Sequence, residues 1–229
     1  MTASSALRRD LLITIDGPAG AGKTTVSRAL ARALGYRYID TGALYRGIAL
    51  ATVEQGIAAD DDDALEELCK RTTLDFRFRD EELHLILNER DVSGEIRSPR
   101  ISMLASAVSA RPVVRRFLLE IQRTLGAAKQ AVFEGRDMGT VVFPDADVKF
   151  FLDADPAIRA RRRYEELKVK HQQPPSLANV EQDMARRDQN DTSRTVAPLK
   201  AAPDAVHIDS TSMGIEQVVA AMLEHVHAL

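Results

Sequence analysis

The sequence contains one cysteine, Cys69, so no intrachain disulfide can form. A zinc site built from thiolates is disfavoured for the same reason, and the composition fits a reducing compartment. Cys69 reads as a small half-buried helix residue, because a reactive thiol needs a setting that lowers its pKa. Long apolar runs are also missing. No window approaches the ~20 apolar residues of a membrane span. The apolar stretch at 11–15 is too short for a signal-peptide core and ends in Asp16-Gly17. A cytoplasmic protein without membrane contact is expected. Excess positive charge is absent too: Lys and Arg number 31 against 34 Asp and Glu, a formal net charge of −3. That balance argues against a nucleic-acid partner, so any bound anion must be held by local clusters of positive charge. Neither an internal repeat nor a low-complexity tract occurs.

What is present suits a globular fold. The 229 residues are 45% hydrophobic and 28% charged, enough to bury a core in one large domain or a domain with an insert. After a loose leader at 1–10, Leu11 to Ile15 reads as a buried parallel strand, and Asp16 to Gly22 as a Gly-rich loop. Helical spacing runs from Lys23 to Leu34 and from Thr41 to Gln55, with a short strand at 36–39 between them. Four acids at 60–63 precede a helix, whose N-terminus favours them. Two alternating segments, 74–78 and 83–87, then predict an antiparallel hairpin joined by residues 79–82, with a third strand near Asp91-Val92. Helices are expected at 99–110 and 112–129, divided at Pro112. Beyond them come strands at 131–133, 148–152 and 205–208, with helices at 156–170, 176–189 and 215–227.

Strands alternating with helices predict an α/β fold: a three-layer arrangement with a parallel central sheet covered on both faces. The expected core is 11–61 plus 111–229. Residues 62–110 interrupt the alternation as a small α+β insert.

Gly17-Pro18-Ala19-Gly20-Ala21-Gly22-Lys23-Thr24 fits the P-loop pattern G-x-x-x-x-G-K-[ST] between a predicted strand and a predicted helix. Glycines let backbone N–H groups turn inward on phosphate oxygens, and the helix N-terminus faces the same anion. Residues 17–25 are therefore the expected ATP-phosphate cradle, with Lys23 on the β- and γ-phosphates and the Thr24 hydroxyl on Mg2+. The loop alone does not separate kinases from other P-loop proteins. Its place on the first strand, and the lack of a guanine-reading N-K-x-D motif, favour a kinase.

Phosphoryl transfer between two nucleotides has its own chemical demand. The acceptor phosphate, with a second pKa of about 6, is already a nucleophile at neutral pH, so no general base is required. Positive charge is required, to overcome repulsion and to stabilise the transferred group. Arginines from separate segments meet that description: Arg46, Arg136 within Glu134-Gly135-Arg136-Asp137-Met138-Gly139-Thr140, and Arg194, with Arg159, Arg161, Arg162 and Arg163 crowded on one helix. Taken singly, an arginine of this kind is more often a solvated surface charge. Arg136 is the exception, because its segment lies between apolar strands and just past a strand's C-terminal end, where α/β sheets bind ligands.

Taken together, Asp-Gly-Pro-Ala-Gly-Ala-Gly-Lys-Thr, Asp-Thr-Gly-Ala-Leu-Tyr-Arg, Asp-Val-Ser-Gly-Glu-Ile-Arg, Gly-Arg-Asp-Met-Gly-Thr-Val-Val-Phe-Pro and Val-Ala-Pro-Leu resemble the bacterial cytidylate kinases from about residue 11 to the C-terminus. The resemblance implies a nucleoside monophosphate kinase core, a CMP-binding insert and a helical lid at about 156–174. It implies transfer of the γ-phosphoryl group of ATP, with Mg2+, to CMP or dCMP. Thr41, Arg46, Arg136 and Arg194 would hold the CMP phosphate; Lys23, Arg136 and Arg194 would be catalytic. Ser106, Arg115 and Asp137 would read the cytosine, with Arg187 and Asp191 near the sugar and the lid arginines 159 and 161–163 reaching the ATP phosphates. Ser102 and Ser109 compete with Ser106, since a register slip on that helix changes which serine faces the base. Two positions depart from the common pattern: Thr41 stands where many members have Ser, and Thr24 where many have Gly.

The base assignment has a physical basis. Asp137 can accept from the N4 amino group of cytosine and would repel the O4 of uracil, while Arg115 and Ser106 can donate to O2 or N3. Other acceptors, AMP, UMP or a metabolite hydroxyl, remain alternatives, as does a nucleotide-binding regulatory switch. Arginines from four segments favour the kinase. A monomer is expected. His225 and His227 fall on different helix faces and do not make a metal pair. His84 and His207 read as packing residues.

Overall fold

In Leu12–Asp16 (β1) every residue is buried, and such a strand finds its partners inside a sheet covered on both faces. The computed structural model describes residues 10–79, 82–170 and 175–229. The expected leader at 1–9, residues 80–81 of the hairpin connection and 171–174 of the lid segment lie outside the described residues. The chain continues through Lys23–Leu34 (α1), Arg37–Asp40 (β2), Thr41–Glu54 (α2), Asp62–Lys70 (α3), Leu74–Arg79 (β3), Glu82–Leu87 (β4) and Arg90–Asp91 (β5). Next come Pro99–Val108 (α4), Pro112–Gly126 (α5), Ala131–Gly135 (β6), Val148–Asp153 (β7), Pro156–Lys170 (α6), Leu177–Ser193 (α7), Val206–Asp209 (β8) and Ile215–His227 (α8).

The main sheet has the order β2-β6-β1-β7-β8, and all its pairings are parallel. Ile13, Ile15, Val132 and Phe150 pack with Val26 and Leu30 of α1 and Val218 and Met222 of α8 on one face. On the other, Phe133 and Ile39 pack with Leu119 and Leu125 of α5. That is the three-layer α/β arrangement. Phe133 and Phe143 meet edge to face at 4.7 Å.

β3, β4 and β5 form a separate antiparallel sheet. Its apolar face shares a core with α2, α3, α4 and α5: Leu74, Leu85 and Leu87 pack with Ile48, Leu65, Ile101 and Leu118. The four acids act as expected for a helix start, with Asp61 accepting from the Ala64 amide at 3.0 Å. Cys69 is buried, which pushes its thiol up to about 11. No described helix is long and apolar enough to cross a membrane.

Several element ends differ from expectation, the helix expected to reach 129 stopping at Gly126 among them, and three differences bear on the site. β6 runs on to Gly135, because Glu134 and Gly135 stay in register with Ile15 and Asp16 of β1. Residues 138–142, to which the sequence pattern assigned no element, form a single π-helical turn. The Asp16 carboxylate holds the start of that turn, accepting from the Met138 amide at 2.9 Å and the Gly139 amide at 2.8 Å. Finally, α7 extends to Ser193, four residues beyond its expected end at 189, and so places Asp191 on a helix.

Candidate active site

The parallel strands deliver their C-terminal ends to one edge of the sheet, where their polar residues gather. After β1 the chain turns through residues 17–22 into α1. At Gly17, φ is 148° and a Cβ would lie 1.9 Å from the Leu152 carbonyl oxygen, so only glycine fits against β7. Lys23 at the start of α1 is buried, and its Nζ donates to the Pro18 carbonyl at 2.6 Å. Burial, and after it the Arg136 guanidinium, lower its pKa well below the ordinary lysine value. Thr24 Oγ1 donates to Glu134 Oε1 at 2.8 Å, and the Tyr38 hydroxyl donates to the same oxygen. Glu134 Oε2 is buried and has no hydrogen-bond partner among the described residues. Burial, and then the nearby Asp40, raise the Glu134 pKa.

On the other side, α2 starts with Asp40 accepting from the Ala43 amide, and Arg46 Nη2 donates to Asp40 Oδ2 at 2.6 Å. Burial opposes ionisation of Asp40, but Arg46 and the Ala43 amide hold its carboxyl below the usual range. Thr41 Oγ1 donates to the Glu134 carbonyl at 2.7 Å. Arg136 Nε donates to Asp191 Oδ2 at 3.0 Å, and Ser106 Oγ reaches Asp191 Oδ1 at 3.3 Å. Asp137 forms a buried ion pair with Arg115. Arg194 is steadied from two sides: its Nε donates to the Ala197 carbonyl of the Val-Ala-Pro-Leu segment at 2.6 Å, and its Nη1 to Ser109 Oγ at the end of α4 at 3.1 Å. Ala197 itself has φ of 50°, a left-handed conformation that bends the segment back toward Arg194.

Between the two sides lies a cavity of about 870 Å3. Ala19 to Thr25 line it, as do Thr41, Arg46, Ser106, Arg115, Arg136, Asp137, Arg187, Asp191 and Arg194. Gly17 and Pro18 do not; they shape the turn from behind. Ser102, Ser106 and Ser109 all face it, so helix register separates the three serines less than their partners do. The four arginines of α6 divide. Arg162 and Arg163 line the cavity, with Arg162 donating to the Ser210 carbonyl at 2.7 Å. Arg161 is exposed and outside the lining. Arg159 is buried beneath the phosphate loop, where it donates to the Ala19 carbonyl at 3.0 Å and to Asp188 Oδ2 at 2.6 Å.

Several wall residues carried no individual expectation: Glu134, Tyr45, Arg28, Arg97 and the 210–218 segment. Glu134 and Asp16 had one available signal, a carboxylate closing an apolar strand run, which is expensive unless something at the strand end uses it. Three guanidinium groups present buried nitrogens without any hydrogen-bond partner among the described residues: Arg46 Nε, Arg187 Nε and Arg194 Nη2. Burial, then Arg136, lower the Arg187 pKa to about 10. The cavity therefore concentrates positive charge on one side of the phosphate loop, which is an arrangement that favours an anion.

Among the described residues no group of three or more His, Cys, Asp or Glu could hold a metal ion. Thr24 and Glu134 offer a hydroxyl and a carboxylate beside the phosphate loop. That set suits Mg2+ arriving on phosphates and keeping much of its water, because Mg2+ is commonly held by substrate oxygens and few protein ligands.

The cytidylate kinase family model matches residues 13–228. A cytidylate kinase of Geobacter sulfurreducens is 50% identical over 216 residues, covering 94% of this chain and 92% of that protein. One from Carboxydothermus hydrogenoformans is 45% identical, covering 93% of this chain and 95% of its own length. Among solved structures, a shikimate kinase from Acinetobacter baumannii in complex with shikimate superposes with a TM-score of 0.50 at 16% identity, covering 99% of this chain and 98% of that one. This second likeness is one of fold: a P-loop kinase with a central parallel sheet. Sequence identity over nearly the whole length carries the closer assignment, and the chain belongs to the cytidylate kinase family.

Proposed function

We propose that this chain transfers the γ-phosphoryl group of ATP to CMP or dCMP, releasing ADP and CDP or dCDP. The observation that carries the reading is that Arg46, Arg136, Arg187 and Arg194, from four separate segments, line one cavity together with the phosphate loop. ATP lies with its phosphates on residues 19–25 and Lys23, and its base toward the less polar end at Met213, Gly214, Ile215 and Val218. Mg2+ bound with ATP would be held by Thr24, oriented by Glu134, and would neutralise charge on the β- and γ-phosphates. Arg162 and Arg163 are the α6 arginines placed to reach those phosphates when the lid segment closes and excludes water.

CMP lies across the cavity. Thr41, Arg46, Arg136 and Arg194 grip its phosphate, and Arg187 and Asp191 attend the sugar. Asp137 accepts from the N4 amino group, with Arg115 and Ser106 donating to the base. The 62–110 segment closes this side through α4. The phosphate oxygen of CMP attacks directly, with no base needed, because its proton is already lost at neutral pH. Lys23, Arg136 and Arg194 stabilise the charge on the group in transit. The enzyme is taken to act as a monomer, and its two nucleotide substrates suit the cytoplasm.

The test is ADP release with ATP and each nucleoside monophosphate in turn. CMP and dCMP are expected to stimulate release far above UMP and AMP. Slow ATP hydrolysis indifferent to CMP would mark a regulatory switch and refute the reading. A preference for AMP or UMP would keep the kinase and overturn the base assignment.

A further inference from the structure

α7 carries Arg187 and Asp191 on its cavity side, and Arg194 follows its end. Between them sits Asp188, which does not line the cavity. Its Oδ2 accepts from Arg159 Nη1 at 2.6 Å, and its Oδ1 is buried without a hydrogen-bond partner among the described residues. Arg159 does three things with one guanidinium. Nη1 also donates to the Ala19 carbonyl of the phosphate loop at 3.0 Å, and Nε donates to the Ala154 carbonyl, at the junction of β7 and α6, at 2.9 Å. Its side chain is 7% exposed.

The surroundings leave little slack. Ala160, Leu167, Val180 and Met184 form a small apolar cluster between α6 and α7, and Ala19 of the loop packs against it. At Gly20 a Cβ would lie 2.8 Å from both the Arg159 carbonyl oxygen and Met184 Cε. The donor loop, the start of α6 and the middle of α7 therefore meet as one packed unit.

We propose that Arg159 and Asp188 are positioning residues: their buried pair sets the distance between the phosphate loop and the helix that presents the acceptor-binding arginines. The inference rests on the CMP kinase reading above. Its physical basis is that transfer needs the reacting atoms within about 3–3.5 Å, and a misplacement near 1 Å costs about a hundredfold in rate. A buried ion pair is a poor source of stability compared with apolar packing, and what this one supplies is geometry, because Arg159 spends its donors on the loop, the strand end and Asp188. A guanidinium serves a loop carbonyl, a strand-end carbonyl and a carboxylate from two nitrogens fixed in one plane, which the single ammonium nitrogen of lysine does not reproduce. Arg159 therefore acts through protein contacts and leaves the ATP phosphates to Arg162 and Arg163.

The test uses the full chain, with Arg159→Lys, Asp188→Asn and the double variant. Three quantities are measured for each: kcat with ATP and CMP, the Kd of each nucleotide alone, and the Kd of a bisubstrate analogue in which adenosine and cytidine are bridged by five phosphates. The unmodified protein comes first, since failure to turn over CMP there would refute the functional reading and say nothing of the pair. Each single variant is expected to lose about 10- to 100-fold in kcat and at least about tenfold in analogue affinity, with single-nucleotide Kd values changed by less than about threefold. The double variant should be no worse than the poorer single one, because both remove the same contact. Loss of ATP affinity in Arg159→Lys alone would make Arg159 a phosphate ligand and overturn the proposal. Lowered Tm with unchanged kcat and analogue affinity would reduce the pair to a structural one, and multiplying effects in the double variant would also refute it. Asp188→Glu keeps the charge and shifts it by one methylene; it is expected to fold and still lose kcat, so the proposal stays testable should Asp188→Asn unfold.

Discussion

The Arg115 guanidinium, from α5, is paired with the carboxylate of Asp137, in the turn after β6, and the two side chains are only 9% and 3% exposed. Arg194 Nη2 lies 3.8 Å from the other Asp137 oxygen. Burial raises the Asp137 pKa, while Arg115 and then Arg194 oppose that shift. The ion pair with Arg115 presents a carboxylate acceptor at the cavity wall, where in the proposed complex the N4 amino group of cytosine would donate and the O4 of uracil could not. Asp137→Ala is expected to lower kcat/KM for CMP by about 100-fold and to change the value for UMP by less than about threefold, narrowing the preference. Steady-state kinetics on both acceptors measure it; equal losses would show that Asp137 does not read the base.

At the donor end, Lys23→Ala removes the cation proposed to reach the transferred phosphate and is expected to cost at least about a thousandfold in kcat. Thr24→Val keeps the shape and deletes the hydroxyl that Glu134 orients. This variant should raise the Mg2+ concentration for half-maximal rate by about tenfold, while Thr24→Ser stays near the wild-type value. A Mg2+ titration at saturating ATP and CMP distinguishes the two.

The phosphate loop was legible because its chemistry is local: glycine, lysine and threonine at set spacings between an apolar strand and a helix. Arg136 and Asp137 were legible from their place after an apolar strand. The α6 arginines were not, since four arginines within five residues look alike until partners are known. Asp188 and the Ala19 carbonyl, 29 and 140 residues away, draw Arg159 under the loop, while Arg161 meets solvent. Asp16 and Glu134 were opaque for a related reason. Each is a charge at the end of a hydrophobic strand, and what holds it, a pair of turn amides or two hydroxyls, comes from elsewhere in the chain.

Asp16 gives a pH dependence with a definite sign. Burial raises its pKa from 3.8 to about 6, against the lowering effect of the Gly139 and Met138 amides. An acid whose folded pKa lies above its unfolded one binds more protons in the native state, so stability falls as pH rises from about 4 to about 6. The full penalty above that window is about 3 kcal/mol. Asp16→Asn carries no such titration. Its unfolding free energy relative to wild type should therefore move in the variant's favour by up to that amount between pH 4 and pH 6.5, as read by urea denaturation. A difference that stays flat across the window would show that Asp16 titrates normally.

Arg187 stands among like charges, and this crowding sets up a trade between stability and binding. Burial, then Arg136, depress its pKa to about 10, with Arg46 and Arg163 adding to the repulsion and Asp191 only partly offsetting it. A base with a depressed folded pKa costs stability wherever it is charged, and here that holds at all pH values below about 10. Arg187→Met removes the charge and keeps an unbranched apolar side chain. The nucleotide-free protein is expected to gain about 1–2 kcal/mol in urea denaturation at pH 7, while CMP affinity falls at least about tenfold. Saturating CMP should then raise Tm in the wild type much more than in the variant, because only the wild type recovers the cost of its crowded guanidinium groups when the anion arrives. A variant less stable than wild type without CMP would mean that Arg187 holds the fold together through Asp191, and that the repulsion among the arginines is already neutralised before substrate binds.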